Sequence, residues 1–217
     1  GKGVNFKASV VRNDSQRVSI FKIKLKDDLN KESDNIKLYF SDRVNRGVDP
    51  GYDAGKFFLG SKSKIFSRLV EEDNGEELQI QALPYNDLKD LVVPLGITTE
   101  SPSLQLSIIE NSIDHLYSIY LEDRLNNTIV EFDDSIDLSF DDDSKEIGRF
   151  YLHFNDGMIP ELPTDGDDFR IFKISNNEIR LMGSPETFYK AMFYDFSGRL
   201  VRKLNFNHKI NVKEIDS

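Results

Sequence analysis

The run Gly148-Arg-Phe-Tyr-Leu-His-Phe154 decides how this chain of 217 residues is interpreted. Large apolar side chains occupy every second position from Phe150 to Phe154, and Tyr151 and His153 fall between them. This period-two pattern is typical of a β-strand that buries one face. The pattern predicts a strand that closes a β domain.

A segment rich in Pro, Gly and Asp follows: Asn155-Asp-Gly-Met-Ile-Pro-Glu-Leu-Pro-Thr-Asp-Gly-Asp-Asp168. Pro160 and Pro163 have no backbone N–H to donate to a sheet, and the Asp-Gly pairs favour turns. A packed element is therefore not expected to cross this segment. We predict a first domain at residues 1–155, a linker at 156–167 and a second domain at 168–217.

The fold class expected for both domains is all-β, because strand-like segments alternate with turn clusters and no helix-length 3.6-residue period occurs. The first domain is predicted to be an antiparallel β-sandwich, either jelly-roll-like or immunoglobulin-like. Pro94 interrupts one apolar run, which predicts an edge strand or a bulge there. The strands predicted in this domain are Val4–Val11, Val18–Lys26, Ile36–Phe40, Lys56–Leu59, Ile65–Glu71, Leu78–Leu83, Leu88–Ile97, Leu104–Glu110, Tyr117–Leu125, Thr128–Phe132, Ile136–Phe140 and Arg149–Phe154.

The second domain is expected to be a small immunoglobulin-like β-sandwich of two hairpins and a fifth strand. Asn176-Asn177 and Ser197-Gly198 are the predicted hairpin turns, because Asn and Gly tolerate positive φ. The predicted strands are Phe169–Ser175, Glu178–Met182, Tyr189–Phe196, Arg199–Leu204 and Ile210–Ile215.

Charge is distributed unevenly between the two domains. Residues 168–217 hold 9 Lys/Arg and 6 Asp/Glu, a net of +3, which leaves −13 in the preceding residues. The acidic first part should repel nucleic acid and anionic membranes. We therefore expect neither nucleic-acid binding nor direct membrane insertion.

The composition excludes several classes of site. The chain has no Cys, so disulfides, thiolate zinc sites and cysteine nucleophiles are excluded. It also has no apolar run of about 18 residues, the length that a membrane-spanning helix requires. The chain begins at Gly1 without an initiator Met or a signal peptide, and we expect it to be a piece of a longer protein.

The stretch from Gly47 to Phe57 is rich in glycine but does not have the spacing of a phosphate-binding loop. Asp49 and Asp53 within it are candidate ligands of Ca²⁺, which prefers oxygen ligands from turns. The alternative is that both side chains cap turns. Ca²⁺ is the one candidate cofactor.

No motif of an enzyme is present. The three histidines, His115, His153 and His208, do not form a zinc motif, and no nucleophile elbow occurs. We therefore expect a non-enzymatic protein. Exposed aromatic side chains are candidates for a platform on which a sugar would stack, and packing in the core is the alternative for the phenylalanines; the candidates are Tyr39, Tyr52, Phe58 and Tyr85.

The order of motifs in the last fifty residues resembles the C-terminal sorting domain of the type 9 (Por) secretion system. The resemblance rests on Phe169-Arg-Ile-Phe-Lys173, Glu178-Ile-Arg-Leu181, Met192-Phe-Tyr-Asp-Phe-Ser-Gly-Arg-Leu-Val201 and Asn211-Val212. More loosely, four upstream stretches resemble the uncharacterised sandwich that often precedes such a domain: Gly51–Lys56, Gln81–Pro84, Val93–Gly96 and Tyr120–Asp123.

This resemblance implies a cargo that reaches the surface or exterior of a Gram-negative bacterium through the periplasm. The last domain would be the signal recognised by the outer-membrane translocon and by its shuttle and attachment proteins. The family pattern carries over to Tyr194, Asp195, Gly198, Arg199, Leu200 and Val201. Family members continue with a further strand and a basic tail, whereas this chain ends at Ser217, so the domain is expected to lack its last strand.

The alternative function is a carbohydrate- or Ca²⁺-dependent binding module of a larger surface protein or enzyme. In that case the first domain would have a glycan as its partner and would serve adhesion.

Overall fold

The computed structural model describes residues 17–57, 60–71, 73, 75–140, 144–158, 160, 170–175, 178–182, 188–207 and 209–213. These residues form sixteen strands and one short 3₁₀ turn, Tyr85–Lys89. The strands are β1 Val18–Asp27, β2 Glu32–Ser41, β3 Ala54–Gly55, β4 Lys64–Ser67, β5 Leu78–Pro84, β6 Asp90–Thr99, β7 Ser103–Asn111, β8 Ser118–Asp123, β9 Thr128–Glu131, β10 Ser135–Ser139, β11 Ser144–Asn155, β12 Arg170–Ser175, β13 Glu178–Met182, β14 Phe188–Tyr194, β15 Leu200–Asn207 and β16 Lys209–Lys213.

The all-β class predicted from the sequence is confirmed. Strand β1 illustrates why these residues form strands: Phe21, Ile23 and Leu25 are buried, whereas Lys22 and Lys24 between them point outward. The same alternation places Phe150 and Phe154 of β11 in the core. The strand Val4–Val11 and the turn Asn176-Asn177 lie outside the described residues.

The strands from β1 to β11 form one long sheet in the order β10-β7-β1-β2-β5-β4-β6-β11-β8-β9, with β3 paired beside β5. Its two end strands, β9 and β10, are separated by only residues 132–134, so the sheet curls until its ends meet. Side chains from both halves of the order pack into one core cluster. The result is sandwich-like.

Two details of the long sheet differ from the sequence prediction. Strands β2 and β5 pair in parallel, although the sandwich was expected to be antiparallel. The prediction of an edge strand at Pro94 was wrong, because β6 lies between β4 and β11. Pro94 is tolerated there because β4 ends at Ser67, before it reaches the position opposite Pro94. The Pro94 carbonyl accepts a hydrogen bond from Arg68 N at 3.0 Å.

Strand β11 was predicted to close its domain, and in chain order it is the last strand of the long sheet. In space it is an interior strand between β6 and β8. Its register shifts between Ile147 and Phe150, where Gly148 adopts a φ of 79°. A bulge of this kind requires a residue that accepts positive φ, which explains a glycine at this position.

The strands after residue 169 form two further sheets, β12-β13-β16 and β14-β15. Leu181, Phe206 and Val212 are buried between them, and the Tyr189 and Phe206 rings stack with 5.4 Å between centroids. The predicted pairing of two hairpins with a fifth strand is observed. We call β12–β16 the C-terminal module. The domain limits 1–155 and 168–217 stay a prediction.

No helix in the described part of the chain has the length and apolar character needed to cross a membrane.

Candidate functional site

The hairpin between β14 and β15 carries the sequence motif that resembles the sorting signal. Asp195 and Arg199 face each other across it, with the N–H of Asp195 donating to the carbonyl of Arg199 at 3.0 Å. The three residues between them form a tight turn in which Gly198 N–H donates to the Asp195 carbonyl at 2.9 Å and Gly198 has a φ of 81°. This is a type I turn followed by a left-handed glycine, a common three-residue hairpin loop.

The Asp195 carboxylate fixes the shape of this turn. Its Oδ1 accepts hydrogen bonds from the Ser197 hydroxyl at 2.6 Å and from the backbone N–H groups of Ser197 and Arg199, both at 2.9 Å. Its Oδ2 accepts one from Arg199 Nε at 3.0 Å. The Ser197 hydroxyl and the Arg199 N–H hold the pKa of Asp195 below its usual value. The ionised form of the Asp195 side chain thus stabilises the turn.

Apolar side chains surround this turn and face solvent. Phe196 at its first position is fully exposed, and Tyr194 and Leu200, which pair across the hairpin, are 56% and 48% exposed. Val201 is half-buried. The sequence prediction placed Phe196 in a strand, which was wrong, because β14 ends at Tyr194 and Phe196 belongs to the turn. A rigid turn that displays an aromatic ring is suited to recognition by another protein.

The two aspartates proposed for Ca²⁺ lie in the loop between β2 and β3. Both oxygens of Asp49 accept hydrogen bonds from Asn45, from its N–H at 2.6 Å and from its side-chain amide at 2.8 Å. Asp53 accepts from the N–H groups of Asp49 and Ala82, each at 2.6 Å. Burial raises the pKa of Asp53 despite these hydrogen bonds. Three of the four carboxylate oxygens therefore accept hydrogen bonds within the loop, and the fourth, Asp53 Oδ1, accepts one from β5.

No three His, Asp or Glu side chains among the described residues are grouped in a way that would hold a metal ion. The Ca²⁺ site at Asp49 and Asp53 stays a prediction. In the structure Asp49 accepts hydrogen bonds from Asn45 within the loop, and Asp53 holds the loop against β5 through the hydrogen bond from Ala82 N–H.

The loop held in this way positions one of the aromatic side chains singled out from the sequence. Tyr52 stacks on Tyr39 of β2 with 6.0 Å between centroids and 23° between the ring planes, and Tyr52 is 40% exposed. Tyr85 instead packs partly against the core and lies under the guanidinium of Arg17. Phe58 lies outside the described residues. The structure thus brings two of the four candidates together.

A second polar array lies on the outer face of β8 and β11. Glu122 is buried and accepts a hydrogen bond from Arg124 Nε at 2.8 Å, and its other oxygen lies 2.8 Å from His153 Nε2. His153 also lines a cleft of about 480 Å³ at the start of β6. The guanidinium of Arg124 lies 3.6 Å from the centre of the Tyr151 ring. This array is a compact structural network, and the sequence offered no signal for it beyond the outward position of His153.

No family model matches the chain, and no curated protein or solved structure does so either. Of the residues predicted from the sequence, the structure brings together the motif from Tyr194 to Val201 on one hairpin and Asp49 with Asp53 on one loop.

Proposed function

We propose that the chain is a non-enzymatic region of a secreted or cell-surface protein. Its C-terminal module is the sorting signal that a type 9 secretion translocon recognises when it exports or attaches the protein. The observation that carries this proposal is the β14–β15 hairpin. Its turn is fixed by four hydrogen bonds to one carboxylate and exposes Tyr194, Phe196 and Leu200 to solvent. Exposed apolar groups on a preordered turn favour docking to a partner.

The sequence motif supports the same reading, because the hairpin coincides with the stretch that resembles the sorting-domain family. Apolar side chains on both strands beside the turn gain no stability from contact with water. A protein partner that docked there would bury them. The expected partners are the outer-membrane translocon and the proteins that shuttle or attach its cargo. The expected location is the surface or exterior of a Gram-negative bacterium.

The test is an export assay in a host that has this secretion system. A reporter with a periplasmic signal peptide is fused to the whole chain, carried with whatever native sequence follows Ser217 in its gene. We expect the reporter to reach the surface or the medium, and to stay in the periplasm when the translocon is deleted. The same reporter fused to a chain ending at Pro160 should also stay in the periplasm. Equal export of both fusions would overturn the proposal.

A further inference from the structure

The outward face of β1 and β2 combines basic and aromatic side chains. In the register of this pair Ile20 lies opposite Tyr39, Lys22 opposite Lys37 and Lys24 opposite Asn35. All of these alternate with buried core residues, so they share the outer side of the sheet. We call Lys22, Lys24, Lys37, Tyr39 and Tyr52 the lysine–tyrosine face.

Two of the three lysines are placed where they lower the stability of the sheet. Lys22 and Lys37 are direct cross-strand neighbours, and opposed like charges in a sheet destabilise it. Glu110 of β7 lies in register on the other side of Lys22. Within the described residues, however, none of the three ammonium groups has a carboxylate within 4.0 Å. An anion seated between Lys22 and Lys37 would relieve their repulsion.

The aromatic pair lies next to these charges. Tyr39 and Lys37 are two residues apart on one strand, so their Cα atoms are separated by about 6.6 Å on the same face. Tyr52 extends the aromatic surface from β2 toward the neighbouring strand β5, because the adjacent Asp53 accepts a hydrogen bond from the Ala82 N–H on β5. Stacked aromatic rings present a flat apolar surface that suits the C–H face of a sugar ring.

We propose that the lysine–tyrosine face binds an acidic polysaccharide. The lysines would bind its carboxylate or sulfate groups, and the exposed Tyr52 ring would stack on a sugar ring. The net charge of −13 in residues 1–167 opposes the binding of any polyanion, so the affinity must come from the lysine–tyrosine face itself. An oligonucleotide of matched charge is the alternative polyanion, and its affinity is measured alongside. Binding of the polysaccharide is independent of the export proposed above.

The experiment measures binding of the whole chain to polygalacturonate by isothermal titration calorimetry at low salt. We expect binding that weakens as salt is added, and no binding to neutral dextran. Lys37→Glu should lower the affinity about tenfold or more, and Tyr52→Ala should do the same. Lys37→Glu should leave the melting temperature unchanged or raise it, because the new carboxylate lies opposite Lys22. Loss of binding is then separated from loss of fold.

The matched control is Lys89→Glu, which makes the same change in net charge at an exposed lysine away from this face. It should bind polygalacturonate like the unaltered chain. Three results would overturn the proposal: no binding by the unaltered chain, the same loss in Lys89→Glu as in Lys37→Glu, or equal affinity for an oligonucleotide of matched charge. None of these results depends on whether the reporter is exported.

Discussion

Arg180 of β13 donates a hydrogen bond to Glu146 of β11 at 3.2 Å, and both side chains are buried. The same Arg180 Nη1 donates to the Ile147 carbonyl at 2.9 Å, next to the bulge at Gly148. Glu146 in turn lies 3.9 Å from Arg149, which pairs with Asp123 at 2.7 Å. A buried chain of charges therefore links the C-terminal module to the long sheet.

Breaking this link should destabilise the protein. Arg180→Met leaves Glu146 buried with less compensation, and we expect a loss of about 3 kcal/mol in the free energy of unfolding. Adding Glu146→Leu should recover part of that loss, since the buried carboxylate that Arg180→Met leaves with less compensation is then removed. Urea denaturation of the two variants measures both effects. Lys62→Met, which breaks the exposed pair with Glu100, is the control and should cost about 0.5 kcal/mol or less. Equal losses for Lys62→Met and Arg180→Met would contradict the interpretation.

The Glu122 array should make stability depend on pH. Burial opposes ionisation of Glu122, but hydrogen bonds from His153 and Arg124 outweigh it and the pKa of the carboxyl is lowered. Because the folded pKa lies below the unfolded one, the contribution is present above the unfolded pKa of about 4.3 and is lost as pH falls through the folded pKa. Glu122→Gln should therefore cost about 3 kcal/mol at pH 7, and the cost should shrink in acid. Denaturation at a series of pH values checks this, and a cost that does not change with pH would refute it.

Gly96 of β6 is required because the Phe66 ring lies over it. A Cβ at this position would lie 2.1 Å from the ring, so Gly96→Ala forces a shift in the core. We expect a loss of about 1–3 kcal/mol. Gly55→Ala is the matched control, since its nearest neighbour would be the Glu77 carbonyl at 4.0 Å. Combining Gly96→Ala with Phe66→Leu should recover stability relative to Gly96→Ala alone, and a failure to recover would show that the ring is not the cause.

The features that the sequence predicted well are local. Alternation along β1 and β11 predicted strands whose core faces are the observed ones, because a strand repeats every two residues wherever it packs. The positive φ at Gly198 was predicted from residue type alone. The parallel pairing of β2 with β5 could not be predicted, because these two strands are separated in the chain by β3 and β4 and no local pattern indicates which distant strands pair.

The candidate sites show the same division. The motif from Tyr194 to Val201 was found in the sequence because its residues are contiguous. The stacking of Tyr39 on Tyr52 joins a strand to a loop, and the sequence indicated only that both are aromatic. Phe196 was placed in the strand because Met192, Tyr194 and Phe196 continue a period-two pattern of large side chains. The pair of Arg180 with Glu146 has no local signal at all.

The role of the exposed turn of the β14–β15 hairpin is tested most directly by changing Phe196 to Asp in the whole-chain fusion. The measurement is the fraction of reporter that is exported. Because Phe196 is fully exposed, the substitution should leave the melting temperature unchanged. Ile171→Asp is the matched control, since Ile171 is 62% exposed on the other sheet of the C-terminal module. If this hairpin is the sorting signal, the fusion with Phe196→Asp is retained in the periplasm while the fusion with Ile171→Asp is exported normally. Normal export of the Phe196→Asp fusion would contradict the proposal that this hairpin is the sorting signal.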